Sequence, residues 1–90
     1  MPKVRVLLFG LNGEAAGKTQ MTQSAKSGTT VEDLWLQLQG TELPNGRIAA
    51  VNRAVLLVLV NGQPIDYLEG WKTKLHHKDQ ITYMRRTVGG

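Results

Sequence analysis

Hydrophobic and polar positions alternate from the start of the chain. In "KVRVLLF" (3–9), Val4, Val6 and Leu8 share one face at a period of two, which predicts a strand. Leu7 and Phe9 make the opposite face apolar as well, so the strand is expected to be covered on both sides. "GLNGEAAG" (10–17) carries three glycines and an Asn-Gly pair and reads as a turn or loop. "KTQMTQS" (18–24) alternates more weakly, as a second strand pairing back in a hairpin.

The period then changes. In "SGTTVEDLWLQLQG", Val31, Leu34, Trp35 and Leu38 fall at i, i+3, i+4 and i+7, one apolar stripe of a helix over residues 31–39. Thr30 with Asp33 three residues on reads as an N-cap, with Thr29 and Glu32 as the alternative register. Glu32 and Asp33 sit where the helix dipole favours negative charge, and Gly40 supplies a stop. "TELPNGRIAAVN" (41–52) reads as a loop. The aliphatic run "RAVLLVLV" (53–60) predicts a central strand buried on both faces. Asn61-Gly62 is a hairpin-turn signal. "QPIDYL" (63–68) returns as a short strand, placed at an edge by Pro64. "EGWKTKLHHKDQ" (69–80) is a loop with a further turn, and "QITYMRRT" (80–87) a last strand. The order β-β-α-β-β-β implies an α+β layer architecture, one helix across a mixed sheet of four to five strands. The first and last strands both look central and are expected to lie side by side.

Ninety residues make one domain, and no cysteine is present. Disulfides, zinc-thiolate sites and thiol nucleophiles are therefore excluded. The opening apolar run is too short for a signal peptide or a membrane span, so a cytoplasmic location without membrane is expected. The net charge of +4 is uneven. Basic and acidic side chains cancel over residues 1–70, whereas 71–90 hold Lys72, Lys74, Lys78, Arg85 and Arg86 against Asp79 alone. That imbalance is expected to form a field near the C-terminal end that steers an acidic partner or a polyanion.

Candidate chemistry is sparse. "FGLNGEAAGKT" has the glycines at the wrong spacing for a phosphate-binding loop, and strand and turn signals follow Lys18 where that motif needs a helix. His76 and His77, adjacent on an extended backbone, would point to opposite faces and cannot easily share a metal ion. Tyr83 beside Arg85-Arg86 offers a base-stacking platform with phosphate contacts, but the chain shows no recognised RNA-binding pattern, so nucleic acid is disfavoured. No catalytic triad or paired carboxylates stand out, and the chain is not expected to act as an enzyme alone.

The sequence ends "RRTVGG". Without side chains, an extended Gly89-Gly90 can thread a narrow channel and carry its carboxylate to a buried catalytic centre. The element order, the capped "TTVEDLWLQL" helix, "LVLVNGQPID", "GWKTKLHHKDQITYM" and the terminal "VGG" together resemble the MoaD/ThiS sulfur-carrier family. The resemblance implies a ubiquitin-like β-grasp domain over residues 1–86 and a flexible tail over 87–90. It implies a carrier with no bound cofactor, adenylated on Gly90 by a ubiquitin-activating-type enzyme that uses ATP, then converted to a thiocarboxylate. Gly89 would give clearance, and Thr87 and Val88 would lie in the channel entry. The apolar sheet face would meet partners. The nearest relative implied is the small subunit of molybdopterin synthase, with the large subunit as partner. Carriers for thiamin or tRNA thiolation, and protein modifiers, are the alternatives; a small basic nucleic-acid-binding module is a distant one. Arg85 and Arg86 stand where molybdopterin-type members have prolines or apolar residues, and offer a contact to an acidic activating enzyme or a different acceptor.

Overall fold

The computed structural model describes residues 2–9, 18–39, 42–43, 46–47, 53 and 56–85. Strands β1 (Lys3–Phe9), β2 (Lys18–Ser24), β5 (Leu56–Val60), β6 (Gln63–Pro64) and β7 (Gln80–Arg85) form one sheet in the order β2-β1-β7-β5-β6. Strands β3 (Glu42–Leu43) and β4 (Gly46–Arg47) form a separate two-stranded ladder. Helix α1 (Val31–Gln39) crosses the large sheet. β1 and β7 run parallel, with Val6 opposite Ile81 and Leu8 opposite Tyr83, and every other pairing is antiparallel. This is the mixed sheet with one helix that the alternation predicts, and the first and last strands are neighbours at its middle.

Helix α1 starts where the sequence places it. The Thr30 N–H donates to Asp33 Oδ2 (3.2 Å) and the Asp33 N–H to Thr30 Oγ1 (3.1 Å), a reciprocal cap. The Val31 N–H donates to the Thr73 carbonyl (2.9 Å) and the Leu75 N–H to the Thr29 carbonyl (2.8 Å). The segment before β7 thus straps the helix start to the sheet. All four stripe residues are buried against Val4, Val6, Leu8, Val58, Ile81 and Tyr83. Trp35 and Tyr83 meet at 5.0 Å between ring centroids, tilted by 37°. The Tyr83 hydroxyl donates to the Val31 carbonyl (3.0 Å), which gives this buried phenol its partner.

Four expectations change. Leu7 and Phe9 of β1 are half-buried, and Lys3 and Arg5 on the same side are exposed, so β1 is covered on its helix side and not on both. β5 buries Leu56, Val58 and Val60, while Leu57 and Leu59 are only half-buried, so it lies beside the central strand with one face open. Its apolar run reports proximity to the sheet centre rather than cover on both sides. The strand expected over 63–68 stops after Pro64, which pairs with Leu59, and the chain turns into 3-10 geometry over Ile65–Tyr67, where the buried Ile65 plugs the core. Residues 42–43 and 46–47, expected within a loop, pair as a small ladder. The 61–62 turn is as expected: Asn61 (φ 51°) and Gly62 (φ 85°) both lie in the left-handed region of a two-residue hairpin. The expected loop over 10–17 and the Gly40 stop lie outside the described residues.

Removing the cap tests the helix start. Thr30→Ala is expected to cost about 1 kcal/mol in urea unfolding. Tyr83→Phe is expected to cost a similar ~1 kcal/mol near neutral pH through the lost hydrogen bond. Burial raises the Tyr83 phenol well above its ordinary value near 10. The folded chain keeps this proton where the unfolded chain releases it. The contribution is therefore intact below about pH 10 and declines as pH rises beyond it. Alkaline unfolding curves of Tyr83→Phe should lack that part of the decline.

Candidate functional site

Strand β7 carries the chain out of the middle of the sheet. Its last described pairs are Met84 with Phe9 and Leu57, and Arg85 with Leu56. Arg85 is exposed at the rim. The other proposed site residues (Arg86, Thr87, Val88, Gly89 and Gly90) lie outside the described residues. A backbone leaving from between two paired neighbours has a fixed origin and direction, which an end fraying from an edge strand would lack.

The face of the sheet opposite α1 is the second component. Alternation along each strand and the register across them place Leu7, Thr82 and Leu59 in one row and Phe9, Met84 and Leu57 in the next. Apart from the buried Thr82, these residues are half-buried. They form an apolar surface that adjoins the exit at Arg85. A surface of this kind suits protein docking, since burying it against a partner releases water at little conformational cost. The signal was present in the sequence: "LLF" and "LLVLV" break strict alternation. That break reads equally as burial under another layer, and only the topology, which among the described residues places α1 on the opposite face, separates the two.

Beside this surface, Arg53 pairs with Glu32 of the first helical turn and lies 4.9 Å over the Trp71 ring. A cleft of about 120 Å³ lies between Arg53, Trp71, Leu57 and Pro64.

Other expectations resolve differently. Tyr83 is fully buried and cannot stack on a base, so the platform beside the arginines does not exist. Among the described basic residues of the last twenty positions, Lys74 and Lys78 stand away from the Arg85 end of β7. Lys74 bridges to Thr30 at the helix start, and Lys78 precedes β7 while Arg85 ends it, roughly 20 Å apart at strand rise. A turn folds Lys78 back toward the start of β1, and this dispersal is invisible in a charge count. Lys18 opens strand β2, not a helix. His77 Nδ1 accepts from the Lys3 N–H (3.0 Å), and the His76 N–H donates to Asp79 Oδ2 (2.8 Å). Among the described residues no group of three or more His, Cys, Asp or Glu side chains is placed to hold a metal ion, and no helix is long and apolar enough to cross a membrane.

The family model described as "ThiS family" matches residues 6–90. No curated protein sequence matches significantly. Among solved structures, SAMP1 from Haloferax volcanii superposes with a TM-score of 0.62 at 16% identity, covering 98% of this chain and 99% of that one. The small archaeal modifier protein 1 (SAMP1) from Methanosarcina acetivorans gives 0.60 at 24%, with 100% and 98% covered. The HVO 2177 protein of Haloferax volcanii gives 0.63 at 18%, with 99% and 87% covered. The shared fold is the ubiquitin-like β-grasp.

The double variant Leu57→Asp, Met84→Asp tests the open face. It is expected to keep the wild-type far-UV circular dichroism and to bind a cognate adenylating enzyme at least ~10-fold more weakly in calorimetry. Unchanged affinity would remove this face from docking.

Proposed function

The chain belongs to the ThiS family, small ubiquitin-like carriers that work with adenylating enzymes and are not themselves enzymes, and on that premise we propose that it is a sulfur carrier whose reactive group is the Gly90 carboxylate. The observation that carries this reading is the reach of the family match, which runs through β7 and on to Gly90 itself.

The chemistry follows from the poor reactivity of a carboxylate. The partner enzyme supplies ATP. The Gly90 carboxylate attacks the α-phosphorus, pyrophosphate leaves, and an acyl-adenylate results. A sulfide-level nucleophile then forms a carbon–sulfur bond as the carbon–oxygen bond to AMP breaks, leaving a terminal thiocarboxylate. Gly89 allows close passage through a channel, and Thr87 and Val88 occupy its entry. The apolar face around Leu57 and Met84 holds the domain against the enzyme, and Arg85 and Arg86 meet acidic groups at the channel mouth. Docking through a rigid sheet offsets the entropy lost when the tail is ordered. For the acceptor, we propose a pterin precursor bound by the large subunit of a molybdopterin synthase, with this chain as small subunit. Thiamin and tRNA thiolation use the same tail chemistry.

A second reading is favoured by the names of two similar structures, small archaeal modifier proteins. The same acyl-adenylate, attacked by a lysine amine, would give an isopeptide bond.

Intact mass spectrometry separates the two. Incubated with a cognate adenylating enzyme, ATP and a sulfide donor, the chain is expected to gain the oxygen-to-sulfur increment. Deleting Gly90 should abolish the gain without altering the melting curve. Linkage to lysines of other proteins, with no thiolated form, would favour the modifier.

A further inference from the structure

The opposite end of the open face differs in chemistry. At the starts of β1 and β7 lies a cleft of about 410 Å³, lined by Lys3, Arg5, Thr22, His77, Lys78 and Gln80. Lys3 and Arg5 project from the same face of β1, and Arg5 stands between Thr22 and Gln80 in the neighbouring strands. The Lys78 N–H donates to the Lys3 carbonyl (2.7 Å), which brings the third cation alongside.

Every polar side chain in this lining can donate a hydrogen bond, and no carboxylate is among them. His77 conforms: its Nδ1 already accepts from the Lys3 N–H, so the proton of the neutral ring sits on Nε2. Asp79, the closest carboxylate in sequence, accepts from the His76 N–H and from Asn61 Nδ2 (2.9 Å). Among the described residues Lys3, Arg5 and Lys78 have no acidic partner.

Lys78 adds an independent observation. Its φ is +72°, in the left-handed region that glycine and asparagine occupy most readily. The left-handed backbone belongs to the turn that the Asp79 N–H closes on the His76 carbonyl (3.0 Å). Glycine would meet that turn with less strain, and what the exposed lysine supplies in its place is a cation over the cleft.

We propose that this cleft binds the phosphate groups of a small polyphosphate ligand, inorganic polyphosphate or the triphosphate of a nucleotide. Three cations and three neutral donors match a ligand carrying several anionic oxygens and no donors of its own. The fork of Arg5 suits two oxygens of one phosphate. Apart from the buried Val4 the lining has no apolar side chain, so it lacks the anchors a protein segment would use. The cleft lies a full strand length from Arg85, where β7 ends. The inference does not depend on sulfur transfer.

The test uses the isotope-labelled full chain and sodium tripolyphosphate, followed by amide chemical shifts. Saturable shifts are expected at Lys3, Arg5, His77, Lys78 and Gln80. ATP in a parallel titration distinguishes the sources: equal affinity means that phosphates alone are read, and tighter binding means that the nucleoside contributes. Lys78→Gly is the decisive variant, because glycine suits the backbone. It should melt no lower than wild type yet bind tripolyphosphate ~10-fold more weakly, the loss of one charge-assisted contact. Arg5→Gln should weaken binding at least as much. Shifts that do not saturate, equal affinity in Lys78→Gly, or a poly-glutamate peptide binding as tightly as tripolyphosphate would each overturn the proposal.

Discussion

The parallel pairing of β1 with β7 is the constraint on which the molecule depends. Two parallel neighbours cannot be joined by a tight turn; the chain between them must leave the sheet and return. Here nearly the whole sequence makes that crossing, and α1 lies within it. The helix is held over the central pair by its apolar stripe, and the strap at Thr73–Leu75 fixes its start. Because the pair forms from segments more than seventy residues apart, the core closes only when the whole chain is in place.

The same constraint separates two chemistries on one face. Parallel strands begin at one end of the sheet and finish at the other. The starts of β1 and β7 gather Lys3, Arg5 and Lys78, whereas their ends gather Phe9 and Met84 beside the departing chain. Neither grouping is local in sequence. An apolar surface beside the end of β7 and a basic cleft near its start allow two contacts to be made independently.

Much of this was legible beforehand, for physical reasons. Period-two and period-3.6 patterns record the type of an element, so β1, α1 and β7 could be read as elements, and α1 with its inward stripe; the apolar residues on the outer side of β1 and the buried Tyr83 of β7 depended on the topology. The Thr30–Asp33 cap and the Asn61-Gly62 turn are local devices, closed by residues within a few positions of one another. What resisted reading depends on distant neighbours. Leu57 and Leu59 are apolar whether a layer covers them or a partner does. Ile65 ended the expected edge strand because the core needed a plug below Pro64. Lys78 belongs with Lys3 through a fold, not through charge order. For the site itself the reading divides: the exit at Arg85 emerges from the β7 pairing, while the roles of Thr87 to Gly90 rest on family membership and the chemistry of a glycine carboxylate.

Tyr83 occupies the centre of that strand, and its surroundings carry a mechanical consequence. A pull applied at Arg85 along the axis of β7 runs in line with its neighbours. The ladder bonds to β1 and β5 then bear the load in shear, sharing it, where an edge strand would unzip one rung at a time. The aromatic wedge of Tyr83 under Trp35 resists the same sliding, because one residue of slip would drive the phenol through the sheet to the wrong side. Tension applied at the end of β7 is therefore shared across both of its ladders.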